Sequence, residues 1–357
     1  MEFRFNPDIT KEAGERNRRL LKSYEDFHIP MDPKYRVQYA HLTCPATNWK
    51  YIEGAAKGKA NLVMLDLEDS IPRGNTELLV QGRANIIRAY KELDWAGKIK
   101  YFRPRGLELD PDFEDIAAVV SHAGADIDGL IFPKIESPEE VESIDKVLTE
   151  LEYAGNLPHG KLTFQVLIES VNAERAVFEI AKASRRLRAL IFGAFDYWGS
   201  LGFLPHLYRA DHPIVNDVRC RIVKAAASVG IPAIAEMTLN YPTKEKTEEQ
   251  KQAALDECRR DAELAYLYGF SGKWTGIPAQ TEIAIQTFAI AQETLDGAIR
   301  EIRLFHQAEK EGKGAVMIDG KMADRATNRI NLALIKQAYL RGQVERAIID
   351  ELGVVVE

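Results

Sequence analysis

The chain has 357 residues, 46% of them hydrophobic, which suffices for one large core with an appendage. A formal charge of -7 argues against a nucleic-acid surface, and no apolar run approaches the length of a membrane span. The opening Met-Glu-Phe-Arg-Phe-Asn-Pro lacks a signal-peptide layout. Cys44, Cys220 and Cys258 are too widely spaced for a disulfide framework or paired metal ligands, so a cytoplasmic protein is expected.

Residues 1–35 are charged and punctuated by Pro7, Pro30 and Pro33, and are expected to form an N-terminal extension. A strand-helix alternation then begins. Candidate strands are Val37 to Cys44, Asn61 to Glu68, Lys98 to Arg103, Gly129 to Ile135, Thr163 to Glu169, Ala189 to Asp196, Pro232 to Leu239 and Lys273 to Ile277. Helical patterns lie between them: Thr47 to Lys57, Glu77 to Lys91, Pro111 to His122, Pro138 to Leu151, Asn172 to Ser184, Ile214 to Val229 and Glu248 to Leu267. A long helix is expected over Thr281 to Glu311. Strands alternating with helices mean a parallel sheet, and eight repeats favour a closed (β/α)8 TIM barrel over residues 36–311. The competing doubly wound sheet is weakened because no Gly-x-Gly-x-x-Gly follows the first strand. Residues 312–357, with Gly314 and Gly320 around Val316 to Ile318 and a helical pattern over Ala326 to Leu352, read as a C-terminal helical cap or an arm onto a neighbouring subunit.

In such a barrel, reacting groups gather at the C-terminal strand ends. The second strand breaks into Asp66, Glu68 and Asp69, the fifth ends on Glu169, and the sixth is expected to end on Asp196. Buried acids are costly unless they meet a metal, a cation or hydrogen-bond donors. Glu169 and Asp196 lie 27 residues apart, one βα unit, so they can share one ion. With no histidine or cysteine beside them, an oxygen-only pair suits Mg²⁺. The alternative is two rim acids satisfied by arginines. Arg103, ending the third strand before Pro104, can hold a substrate carboxylate or a developing oxyanion, or simply neutralise Asp69 or Glu68. Lys134 is read as a structural or electrostatic member, with a Schiff-base role as the lesser alternative. Cys44 is read as packing. Asp324, taken alone, reads as a turn residue.

Six motifs then occur in order: Leu65-Asp66-Leu67-Glu68-Asp69-Ser70, Phe132-Pro133-Lys134-Ile135-Glu136, Leu167-Ile168-Glu169-Ser170, Phe192-Gly193-Ala194-Phe195-Asp196-Tyr197, Gly269-Phe270-Ser271-Gly272-Lys273 and Asp319-Gly320-Lys321-Met322-Ala323-Asp324. Together they resemble the HpcH/HpaI aldolase and citrate lyase β-subunit-like (CitE-like) family, which includes malyl-CoA and citramalyl-CoA lyases. The resemblance spans roughly residues 36–330. It implies a Mg²⁺-dependent barrel enzyme that cleaves or forms a carbon–carbon bond in a 3-hydroxyacyl-CoA, with an acyl-CoA and a 2-oxo acid as its small-molecule partners. Glu169 and Asp196 fall on the family's metal ligands, and Arg103 on its active-site arginine. Glu68 and Asp69 fall on the acidic pair that orders metal waters and the arginine. Asp324 falls on an acid/base aspartate supplied by a neighbouring subunit, which implies a homo-oligomer, a trimer or hexamer.

The sequence departs from the family pattern in several places, among them the N-terminal extension and the insert Asn240 to Gln250. Gly276-Ile277-Pro278 stands where Ile-His-Pro is common, the first strand opens differently, and no lysine stands near Leu79 to Arg83. Two further readings are carried alongside. One is a CoA-independent, metal-dependent 2-oxo acid aldolase, for which His41 is the candidate base. The other is a non-catalytic CitE-like subunit.

Overall fold

The structure, a computed structural model, describes residues 32–356 continuously, together with 11, 14–16, 18, 19 and 29. The expected N-terminal extension therefore lies largely outside the described residues. The described residues form two compact units, one containing Gln38–Thr287 and the other Asp32–Val37 with the chain from Phe288 onward.

In the first unit, eight parallel strands close into a barrel in sequential order: β1 (Ala40–Pro45), β2 (Leu62–Asp66), β3 (Ile99–Arg103), β4 (Gly129–Phe132), β5 (Thr163–Ile168), β6 (Leu187–Phe192), β7 (Ala233–Ala235) and β8 (Gly272–Thr275). Closure is made by β1 and β8, where His41 pairs with Trp274 and Leu42 with Thr275. The strands are short apolar runs because both faces are covered, one by the barrel interior and one by helices. Leu62–Asp66 is buried at every position, and so is Thr163–Ile168. His41, Met64, Ile131, Leu167, Ile191 and Trp274 line one small space in the interior.

The intervening helices are α1 (Trp49–Lys57), α2 (Thr76–Glu92), α3 (Glu114–Ala123), α4 (Pro138–Ala154), α5 (Val171–Arg175), α6 (Val177–Lys182), α7 (Ala194–Ser200), α8 (Pro213–Ser228), α9 (Glu248–Leu267) and α10 (Pro278–Phe288). Several begin at side chains that satisfy the helix's first N–H groups. Asn48 caps α1, Asn75 caps α2, and Ser170 caps α5. Ser137 with Glu140, and Thr247 with Gln250, form reciprocal capping boxes on α4 and α9.

Three expectations are corrected. The helix expected over Asn172 to Ser184 is two helices that meet at Ala176. Asp196 does not end a strand: β6 stops at Phe192, and Asp196 lies in the first turn of α7. The helix expected over Thr281 to Glu311 is α10 followed by a separate α11 (Gln292–Lys310). No proline or glycine marks that last break in the sequence. It falls where chain contacts change from one compact unit to the other, so tertiary packing overrides a continuous helical pattern.

The second unit contains α11, the antiparallel hairpin β9 (Ala315–Ile318) and β10 (Lys321–Asp324), then α12 (Arg325–Leu340) and α13 (Arg346–Leu352). Leu295 and Ile302 of α11 share a core with Ile335 of α12 and with Ile349 and Leu352 of α13. In sequence the hairpin shows only as an apolar stretch between glycines. Its two-residue turn, Asp319-Gly320, has φ of 49° and 78°, the left-handed pair that this turn type requires. Among the described residues, no helix is long and apolar enough to cross a membrane.

Candidate active site

The polar groups at the C-terminal rim are set by strand register. Asp66 pairs with Arg103 across β2 and β3, so the two side chains sit abreast. Arg103 donates from Nε to Asp66 Oδ1 at 2.6 Å and from Nη2 to Asp66 Oδ2 at 2.9 Å, a bidentate fork. Its Nη1 lies 2.8 Å from Glu68 Oε2 and 3.3 Å from Asp69 Oδ2. Arg103 is thus ringed by three acids while only 3% exposed. Burial alone would lower its pKa, but the charges of Asp66, Glu68 and Asp69 raise it, so it stays a cation.

The sequence marks Asp66 as a charge at a buried strand's end without assigning it a role. It is the arginine's principal partner, and it also shapes the turn. The Glu68 and Ser70 amides donate to its carboxylate at 3.1 and 3.0 Å, and Ser70 Oγ donates to its carbonyl at 2.7 Å. Burial pushes its pKa up, yet Arg103 and these donors outweigh burial and hold it below the usual range. The available signal was its place at the end of β2, opposite an arginine ending β3.

Glu169 follows β5 and is 5% exposed. Its Oε1 accepts the backbone N–H of Lys134 at 2.6 Å. Among the described residues, no donor reaches Oε2. Gly193, just past β6, makes room for this carboxylate: a Cβ there would lie 2.6 Å from Glu169 Oε2 and from its Cβ. Burial first, then the charges of Asp196 and Glu68, push the Glu169 pKa up to about 8. Asp196 is exposed on the first turn of α7. Lys134 has φ of 52°, and its Nζ lies 2.6 Å from Glu68 Oε1. Burial lowers the Lys134 pKa, but Glu68, Asp69 and Asp196 raise it overall. Glu68 is raised, because burial exceeds the opposing pull of Arg103 and Lys134.

The donor chemistry fits a hard divalent cation. Glu169 is a buried carboxylate, repelled by two others, with one oxygen that meets no donor among the described residues. Among the described residues, no group of three or more His, Cys, Asp or Glu side chains is arranged to hold an ion. A divalent cation here would therefore take most of its ligands from water and substrate oxygens, which Mg²⁺ accepts.

Beside this rim a cleft of about 350 Å³ runs along the β2–α2 turn, with Leu67, Ile71 and Leu79 on its apolar side and Asp69, Arg105 and Lys134 among its polar lining. Arg105 is anchored away from Arg103, with Nε donating to Asp115 at 2.9 Å. Glu136 accepts from Ser170 Oγ at 2.8 Å, and Gln280 donates to the Thr238 carbonyl at 2.8 Å, so both brace the rim. Glu236 pairs with buried Arg219. Cys44 is buried packing, its thiol pushed up to about 12 by burial and by Asp66.

His41 does not stand at this rim. It is the second residue of β1, at the opposite end of the barrel, and its Nε2 lies 3.0 Å from Gln38 Oε1. Burial pushes it down to about 3. The aldolase reading thereby loses its base. Asp324 belongs to the second unit and caps α12, accepting from the Ala326 and Thr327 amides, each at 2.9 Å.

Comparison with known proteins adds three findings. The family described as HpcH/HpaI aldolase/citrate lyase matches residues 40–274. An L-malyl-CoA/beta-methylmalyl-CoA lyase of Cereibacter sphaeroides is 27% identical over 88% of this chain and 98% of its own length, and the citrate lyase subunit beta of Haemophilus influenzae is 30% identical over 81% and 92%. The fold matches CitE from Mycobacterium tuberculosis, a structure in complex with magnesium, acetoacetate and coenzyme A, with a TM-score of 0.62 at 22% identity, covering 84% of this chain and 97% of that one.

Proposed function

The chain belongs to the HpcH/HpaI aldolase/citrate lyase family, and from that premise we propose that it is a Mg²⁺-dependent carbon–carbon lyase. Its substrate would be a 3-hydroxyacyl-CoA such as malyl-CoA, citramalyl-CoA or citryl-CoA, cleaved to an acyl-CoA and a 2-oxo acid or formed from them. The observation that carries this reading is Glu169: a buried, donor-poor carboxylate whose pKa is lifted to about 8 by burial and by its acidic neighbours. Such a group is stabilised by a cation, and the relatives that match nearly end to end are named lyases of CoA esters.

Glu169 and Asp196 would hold the ion. When bound, a divalent cation supplies Lewis-acid polarisation of the substrate's oxygens. Arg103 acts on the thioester side. Asp66 occupies its Nε and one Nη2 hydrogen, Glu68 and Asp69 share Nη1, and the other Nη2 hydrogen is left for the enolate oxygen that develops as the carbon–carbon bond breaks. The three acids fix the guanidinium before the substrate arrives, so little reorganisation is needed. Asp324, contributed by a neighbouring copy in a trimer or hexamer, would protonate the enolate carbon in cleavage and remove that proton in condensation, while the proton of the substrate's 3-hydroxyl leaves to solvent in cleavage and returns from it in condensation. The cleft beside Glu68 and Lys134, apolar on one wall, suits an acyl-pantetheine arm.

The test is product formation. The protein is incubated with Mg²⁺, a panel of acyl-CoAs and glyoxylate, pyruvate or oxaloacetate, and the mixture is read by mass spectrometry. A new 3-hydroxyacyl-CoA mass that disappears on chelation is expected. A condensed product that forms equally well without CoA, or no product in any arm, overturns the proposal.

A further inference from the structure

Lys134 occupies a backbone conformation that ordinarily belongs to glycine. Its φ of 52° lies in the left-handed region, where a Cβ crowds the following carbonyl oxygen and strains the backbone. Glycine would remove that strain and keep the amide. A side chain retained against strain, at the rim of a site, points to a use for the side chain.

That use is visible in what Lys134 touches. Its N–H donates to Glu169 Oε1 and its Nζ lies against Glu68 Oε1, both at 2.6 Å. One residue therefore separates two buried carboxylates. Glu68 has both oxygens engaged, Oε1 by Lys134 and Oε2 by Arg103 at 2.8 Å. Among the described residues, only Oε1 of Glu169 is engaged, so its second oxygen remains available. The rim thus sorts its acids into one neutralised by cationic side chains and one left for a metal ion.

We propose that Lys134 is a positioning residue that keeps Glu68 out of the cation's coordination sphere, so that the protein contributes only Glu169 and Asp196. This rests on the reading that Glu169 and Asp196 hold a divalent cation. The consequence is chemical. A third carboxylate would fill a position that a chelating substrate needs, and it would turn the net charge of ion plus ligands from zero to negative. The ion would bind more tightly and polarise a substrate oxygen less.

The experiment uses the full chain and Mn²⁺ alone as the probe. Free Mn²⁺ is followed by electron paramagnetic resonance, and bound water by proton relaxation. Lys134→Met should bind Mn²⁺ tighter by about tenfold or more, since charge count sets affinity at such sites. It should hold one fewer exchangeable water and turn over more slowly. The double variant E68Q/K134M should return affinity and water count to parental values, and it serves as a second, charge-balanced variant should Lys134→Met fold poorly. Unchanged or weaker Mn²⁺ binding by K134M, or an unchanged water count, overturns the proposal. Undiminished Mn²⁺ binding by Glu169→Gln overturns the underlying cation site instead, a result that K134M by itself does not produce.

Discussion

Arg103 and Glu169 sit in similar burial but opposite electrostatic company. Arg103 is surrounded by acids that oppose its desolvation, whereas Glu169 is surrounded by acids that add to its own. Removing Arg103 outright would leave Asp66 and Glu68 buried without their partner, a loss of about 3–5 kcal/mol that would confound any rate measurement. Arg103→Lys is the cleaner change. It keeps a charge but cannot reproduce the fork. We expect a fall of roughly 10²–10³ in kcat with circular dichroism unchanged; a parental kcat would remove Arg103 from the chemistry. For Glu169, the folded pKa of about 8 stands above its ordinary 4.5, so the fold binds a proton that the unfolded chain releases. Stability is then full below that lower value and falls as pH rises through about 8. Melting temperature without metal should decline across this window. Added Mg²⁺ or Glu169→Gln should flatten the decline, and apparent Mg²⁺ affinity should climb with pH until the proton is gone. A metal-free melting curve insensitive to pH across the window would contradict this account.

Asp324 illustrates a conflict at the scale of the element. As the N-cap of α12 it accepts two backbone N–H groups and takes part in a capping box with Thr327. The Thr327 and Ala326 amides, with Arg329, outweigh its slight desolvation and hold its pKa below the usual range. A cap wants a permanent carboxylate, whereas an acid/base group must take up a proton. The two roles separate by substitution. Asp324→Asn retains a capping oxygen but no titratable group. It should leave the melting temperature within about a degree or two of parental, and it should abolish most of the turnover. Asp324→Ala should in addition lower the melting temperature, because the cap's oxygen is lost as well. Full turnover in the asparagine variant would leave Asp324 as a cap and nothing more.

The whole-molecule prediction follows from placing Asp324 in a neighbour's site. A chain carrying Arg103→Lys and a chain carrying Asp324→Asn should each be nearly inactive, yet mixed oligomers assembled by co-refolding or co-expression would rebuild intact sites. In a closed ring with random assembly, about a quarter of the sites would join a wild-type barrel to a wild-type aspartate. Recovery of activity toward that fraction is expected. No recovery, despite mixed oligomers seen by native mass spectrometry, would place both residues within one copy's site.

Most of the barrel was legible in sequence because a strand covered on both faces must be a short apolar run, and the eight such runs punctuated by amphipathic helices fall at all eight observed strands. Glu68, Asp69, Arg103 and Glu169 were legible for a related reason: charge at the end of a buried run is conspicuous. What escaped were facts of register and of distant packing. The bidentate hold of Asp66 on Arg103 depends on which residues lie abreast across two strands. The helical seat of Asp196 follows Gly193, whose missing Cβ leaves space for Glu169. The break between α10 and α11 falls where contacts pass from one unit to the other, with no local breaker to announce it. Sequence by itself determined which residues had to be buried and which buried ends carried charge, because burial is set by side-chain chemistry. Tertiary structure alone decided which charges meet, because pairing energies depend on separations of a few ångströms between residues far apart in the chain.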